Sequence, residues 1–219
     1  MPAKLKTQIS ENISVAVWQI AETEEFFFDF LKLLPEDEWR IKNGKLQKVR
    51  LQKLACRAAL AELLGNNEIG ITYAETGQPK LKDYYIGSRF KVQGSKDSGQ
   101  PQLKNYCISF SHTKTSVVVA LSKTPVGVDI EELTPRILPL YPRFMSEREI
   151  ADCNIHNLKD LYYYWCAKEA MYKWYAKGNL DFMADLYVDK NEKKGIICEN
   201  YEVQLLNFYF DNQIVVVCC

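Results

Sequence analysis

Two long helix-forming stretches, each flanked by short strand-forming runs, limit this chain to a small set of folds. Residues 45–64 carry apolar side chains at Leu46, Val49, Leu54, Ala58, Leu60, Leu63 and Leu64, and Gly65 follows. That is the period of an amphipathic helix with a glycine stop. Residues 158–177 form the second stretch. At about 100° per residue, Leu158, Leu161, Tyr162, Trp165 and Tyr172 fall on one face, with Glu169 in its middle and Lys173 at its edge. A helix that buries a stripe needs a second layer, and strand candidates supply it at 15–20, 69–74, 106–111, 116–121, 126–130, 186–189, 201–210 and 214–219. Asp211-Asn212-Gln213 reads as the hairpin turn between the last two. Shorter helices are expected at 26–34, from Pro35 to the Asn43-Gly44 break, and at 146–152. Each half of the chain has long helical material plus several strands, which predicts an α+β fold. The division is expected after residue 105, giving halves 1–105 and 106–219.

Between the halves lies a stretch of low hydrophobicity, residues 75–104, with a short internal repeat. TGQPKLKDYYI at 76–86 returns as SGQPQLKNYCI at 98–108. Two copies are too few for a solenoid and read as a local duplication that lengthens a loop or hairpin.

Lys+Arg and Asp+Glu are equal at 28 each, so nothing points to general nucleic-acid or anionic-membrane binding. The seven cysteines form no CxxC pair and are odd in number, which argues against a disulfide framework or a zinc site. No stretch approaches the roughly 18 apolar residues of a membrane span. The reading is a cytoplasmic protein.

Four groups of residues could carry chemistry. In Gly127-Val128-Asp129-Ile130-Glu131-Glu132, strand alternation puts Asp129 and Glu131 on one side, with Val128 and Ile130 pointing the other way into the core. Two such carboxylates suit Mg²⁺ with a substrate phosphate, although a solvated or salt-bridged strand end is the ordinary alternative. In Trp165-Cys166-Ala167-Lys168-Glu169-Ala170-Met171-Tyr172-Lys173, a carboxylate on an apolar stripe needs a partner. That partner is either Lys173 or a cation shared with Asp129 and Glu131. His112, in Ser109-Phe110-Ser111-His112, could donate to a phosphate, whereas a Ser111–His112 hydrolase pair is disfavoured because the two are sequence neighbours and no GxSxG occurs. Arg50, Lys53 and Arg57 recur on one helix face, either as a solvated face or as a basic lip for a nucleotide phosphate.

A GxP element, then SFSH, then GVDIE, then WCAKEAMYK resembles in order and spacing the 4′-phosphopantetheinyl transferase superfamily, most closely its single-chain, two-half subtype. Arg143-Phe144, Ser146-Glu147-Arg148-Glu149 and the run Leu54-Ala55-Cys56-Arg57 add lesser matches. The resemblance implies two similar α+β halves related by a pseudo-twofold, with coenzyme A in the cleft between them and the metal site in the C-terminal half. It implies Mg²⁺ held by Asp129, Glu131 and Glu169, with Glu169 and Lys173 catalytic. It implies coenzyme A contacts from Ser111, His112, Arg40, Lys53, Arg57 and Lys173. The acceptor would be a serine of an apo acyl carrier protein or peptidyl carrier domain, and the enzyme a monomer without nucleic-acid or membrane partners. Both GxP copies here have glutamine at x, Gln78 or Gln100, where the family often has lysine. Either copy could line the coenzyme A site. Leu138, Leu140, Tyr141, Phe144 and Met145 are the expected carrier-docking surface. The competing classes are a non-catalytic coenzyme A-binding protein and a Mg²⁺-dependent hydrolase of nucleotide pyrophosphates.

Overall fold

A computed structural model describes residues 5–82 and 106–219. The end of the first repeat copy, the segment between the copies and the second copy up to residue 105, its GxP element included, lie outside them. The chain forms two compact units, Met1–Thr124 and Pro125–Cys219. This division differs from the expected one after residue 105, because the two strands that follow residue 106 pair into the first unit's sheet.

The first unit contains β1 (Leu5–Ser10), β2 (Ile13–Gln19), α1 (Glu24–Phe30), β3 (Lys32–Leu33), α2 (Pro35–Lys42), α3 (Gln47–Leu64), β4 (Glu68–Ile69), β5 (Ile71–Tyr73), β6 (Pro79–Leu81), β7 (Cys107–His112) and β8 (Ser116–Ser122). Its main sheet is antiparallel in the order β1-β2-β8-β7. β3–β4 and β5–β6 are separate two-stranded pairs. α3 lies across the sheet and buries Leu54, Ala58, Leu60, Ala61 and Leu64 with Trp18, Val117, Val119 and Ile108. It ends at Gly65, whose φ of 64° is the left-handed conformation that glycine adopts without penalty. β1 was not anticipated. Its burial alternates half-buried with exposed, the weak signature of an edge strand.

The second unit contains β9 (Gly127–Glu132), α4 (Glu147–Asp152), α5 (Leu158–Tyr175), β10 (Leu186–Asp189), β11 (Lys194–Ile197), β12 (Tyr201–Phe210) and β13 (Gln213–Cys218). The strands form one antiparallel sheet, β10-β11-β12-β13-β9. β11, four residues including Gly195, was too short to stand out in the sequence. α5 covers the sheet, and its contact with β9 is as close as backbones allow. A Cβ on Gly127 would stand 1.9 Å from the Ala170 carbonyl oxygen, so no other residue fits there.

The register of β9 against β13 decides which way the acids point. Gly127, Asp129 and Glu131 pair with Cys218, Val216 and Ile214. Those three β13 residues belong to the core under α5. Asp129 and Glu131 therefore face the helix. Val128 and Ile130, expected on the core side, lie on the opposite face with Val215 and Val217, where all four are buried as well.

The helical wheel is corrected in the same way. α5 buries Tyr163, Tyr164, Cys166, Ala167, Ala170 and Met171, together with Leu161 and Tyr162. Of the expected stripe only Leu161 and Tyr162 are fully buried, while Leu158, Trp165 and Glu169 are half-buried and Tyr172 is exposed, so the stripe lies along the edge of the buried face rather than at its centre. At the close approach to Gly127 the helix presents Ala170, and farther across the sheet Met171 packs on Gly195 of β11. Among the described residues no helix is long and apolar enough to cross a membrane, and the cysteines are all free thiols.

Candidate active site on β9 and α5

Asp129 and Glu131 project from alternate positions of β9 toward α5, which carries Trp165, Glu169 and Lys173 one turn apart. Lys173 does not pair with Glu169. Its Nζ donates to Asp129 Oδ1 at 2.7 Å and to the Val128 carbonyl at 3.0 Å. The indole of Trp165 donates to Glu131 Oε1 at 3.2 Å, and Arg136 donates to Glu131 Oε2 at 2.9 Å. Buried Cys166 also hydrogen-bonds Asp129, and burial holds its thiol well above the usual range, so it stays protonated.

The electrostatics show how near these groups are to one another. Burial pushes the Glu169 carboxyl up, the Asp129 charge pushes it further, and Lys173 pulls it partly back. Burial and then the Asp129 charge also push Glu131 up, against the hydrogen bonds from Trp165 and Arg136. Two half-buried carboxyls pushed up by burial and by the charge of a third acid form a site whose negative charge is incompletely balanced. An all-oxygen donor set of this kind fits a hard divalent cation such as Mg²⁺. The three are not a ready cage, for among the described residues no group of three His, Cys, Asp or Glu converges closely enough to hold an ion. Lys173 and Arg136 occupy the carboxylate oxygens instead.

A second feature lies within the first unit. A pocket of 260 Å³ is lined by Lys53 and Arg57 of α3, Tyr73, Gly77 and Pro79, and Phe110 and His112 of β7. The first GxP copy therefore contributes to it. Gln52 donates to the Thr113 carbonyl at 2.8 Å, which ties the end of β7 to α3 and sets His112 at the pocket. Ser111, one residue earlier on the strand, points to the other face of the sheet and is not part of it. Arg40 reaches the pocket only through Tyr73, over whose ring it lies at 5.5 Å.

Arg57 does not have the exposed phosphate-facing position expected of it. Its guanidinium is 1% exposed and forms two parallel hydrogen bonds to Asp37, at 2.6 and 2.7 Å. Arg50 is likewise paired with Glu24 and bonded to the Gly44 carbonyl. Of the basic helix face, Lys53 is the half-buried cation that lines the pocket. The proposed docking surface is divided too. Leu138 and Leu140 are exposed, but Phe144 and Met145 are core, pulled in by the 3₁₀ turn Tyr141–Arg143.

Residues 125–218 match the model of the 4′-phosphopantetheinyl transferase superfamily. The match takes in β9, α5 and every acid of the site. The chain is also 25% identical over 105 residues to the 4′-phosphopantetheinyl transferase gsp of Aneurinibacillus migulanus. That likeness covers 46% of this chain and 44% of the relative, so it spans less than half the length of either protein. The motif resemblance to the superfamily is thus shown, and the mixed α+β structure agrees with it.

Two contacts of the superfamily segment escaped the sequence reading. The wheel put Trp165 on one face with Glu169, but its hydrogen bond to Glu131 crosses from α5 to β9 and has no local spacing to show it. The other is a fully buried ion pair, Lys168 with Glu149, at 2.7 Å. Glu149 also caps α4 by accepting from Ser146 and binds the Val188 amide, while Lys168 donates to the Phe182 carbonyl. This network fastens α4, α5 and β10 beside the acid that follows Lys168. Only tertiary contact reveals it.

Proposed function

We propose that this chain transfers the 4′-phosphopantetheine group of coenzyme A to a serine of an apo acyl or peptidyl carrier protein, releasing 3′,5′-ADP. The observation that carries the reading is the meeting of Asp129, Glu131, Glu169 and Lys173 on β9 and α5, inside the segment that matches the superfamily. Asp129, Glu131 and Glu169 would hold Mg²⁺. Bound there, it would supply charge neutralisation for the pyrophosphate oxygens.

The chain's own groups do the rest. Lys173 turns its ammonium from Asp129 to a phosphate oxygen and stabilises charge that grows there. Glu169, directly or through a water, is the proposed general base. It accepts the proton of the carrier serine as the serine oxygen bonds to the phosphorus attached to pantetheine. The bond from that phosphorus to the bridging oxygen breaks, and 3′,5′-ADP leaves with the electron pair. In the first unit, Lys53 and His112 are proposed as further coenzyme A contacts, since a lysine and an imidazole in one pocket are suitable donors to a phosphate.

Intact-mass spectrometry of an apo carrier incubated with the protein, coenzyme A and Mg²⁺ tests this. The expected result is a gain of one phosphopantetheine, abolished by EDTA. Glu169→Gln should lower the rate by about 10²-fold or more. Wild-type turnover by that variant would remove Glu169 as the base. Coenzyme A bound but never transferred, across acyl and peptidyl carriers, would point to a non-catalytic binding protein. Coenzyme A cleaved without carrier modification would point to a hydrolase.

A further inference from the structure

Arg136 stands beside the carboxylates although no motif pointed to it. It sits in the 3₁₀ turn Pro135–Ile137, which follows β9 directly. Pro135 fixes the entry to the turn, and buried Ile137 anchors it in the second unit's core. The turn thereby sends the arginine back over the end of β9. Its Nη2 donates to Glu131 Oε2 at 2.9 Å, and its Nε reaches the Tyr162 hydroxyl at 3.4 Å. That hydroxyl is in turn 2.9 Å from Thr134 Oγ1, so the guanidinium has a framework on both sides.

The two partners of Glu131 are unlike. Trp165 is neutral and half-buried and holds Oε1 in place. Arg136 carries a full charge, and its side chain is 66% exposed. An exposed ion pair exchanges its partners easily. A divalent cation binding Glu131 would neutralise the same charge and use lone pairs that Arg136 now engages. Two cations at one carboxylate repel each other, so each weakens the hold of the other.

We infer that Arg136 is a positioning residue: an exchangeable counter-ion that holds Glu131 in the cation-free state and competes with a divalent cation for it. This rests on the reading that Asp129, Glu131 and Glu169 hold such a cation. On displacement, the guanidinium stays tethered at the site by its turn, available to the phosphates of an arriving substrate.

The test is titration of the full chain with Mn²⁺ alone, without coenzyme A, following free Mn²⁺ by electron paramagnetic resonance. R136A should bind Mn²⁺ about 2–5-fold tighter than wild type, the worth of one exposed ion pair. R136K, which keeps the charge, should stay near the wild-type affinity. R136Q, which keeps much of the shape without the charge, should follow R136A and guards against a folding defect in the smaller variant. Equal or weaker Mn²⁺ binding by R136A and R136Q overturns the inference, and so does equal tightening by R136K. The functional reading fails separately: wild type that binds no more Mn²⁺ than D129N removes the cation site itself. Mn²⁺ bound equally by wild type and R136A removes only the role of Arg136.

Discussion

Each long helix, α3 in the first unit and α5 in the second, lies on an antiparallel sheet and buries one cation against one acid. On α3 the pair is Arg57 with Asp37, and on α5 it is Lys168 with Glu149. Beyond that pair the helices part. The other arginine of α3, Arg50, is also settled, on Glu24. α5 carries Glu169 next to its buried lysine, and Glu169 is raised by burial and by the charge of Asp129. The arginines of α3 are both neutralised, whereas α5 brings Glu169 up to Asp129 and Glu131, three acids beside the two cations Lys173 and Arg136. The difference teaches where chemistry is to be sought: the buried pair serves architecture in both units, and acids whose pKa is pushed up by burial and a neighbouring charge mark a candidate site.

Three experiments break or sharpen this comparison. The largest effect should come from the buried pairs. Lys168→Ala and Arg57→Ala should each cost about 3–5 kcal/mol in denaturant unfolding, because each strands a buried carboxylate. A loss confined to one helix would show that the two pairs are not equivalent. The next effect is on ligand. Lys53→Ala and His112→Ala should each raise the KM for coenzyme A by roughly tenfold, the worth of one charge-assisted hydrogen bond, with melting unchanged. Melting that falls together with KM would make the first unit's pocket a folding feature.

The smallest effect concerns Glu169 itself. A carboxyl whose pKa is raised on folding binds its proton more tightly in the native state. Its favourable contribution is therefore present below the unfolded pKa and is lost as pH rises through the folded one. At neutral pH the native state bears the cost of the charged form. Glu169→Gln should remove that cost and raise the melting temperature by roughly 2 °C, most clearly above neutrality and hardly at all near pH 4. A fall in melting temperature would mean that the charge of Glu169 is satisfied and that the comparison with α3 is mistaken.

Much of the fold was legible because it depends on local pattern. The apolar period of α3, its Gly65 stop and the hairpin before β13 are near-neighbour signals. The alternation in GVDIE correctly put Asp129 and Glu131 on one side. Which side it was could not be read, since both faces of β9 are buried and alternation has no polarity when both neighbours are apolar. The wheel of α5 failed for a related reason. With Tyr162, Tyr163, Tyr164, Cys166, Ala167, Ala170 and Met171 all buried, the helix is apolar nearly all round, and the chosen stripe is only partly the buried face, with Leu161 and Tyr162 in the core and Tyr172 exposed. Arg57 was read as a ligand contact because its acid, Asp37, lies on another helix, a distance in sequence that no local spacing encodes.

The backbone contact at Gly127 has a consequence for how this site tolerates change. Where two elements are separated by side chains, each core substitution shifts them, and the catalytic groups they carry move too. Here β9 and α5 touch through Gly127 and the Ala170 carbonyl, with no side chain between them to vary. The backbones that carry Asp129 and Glu169 are therefore held together beside both residues by peptide contact rather than by side-chain volume. Random variation elsewhere in the hydrophobic layer can alter stability while the acids keep their places, so the chemistry is insulated from neutral drift in the core.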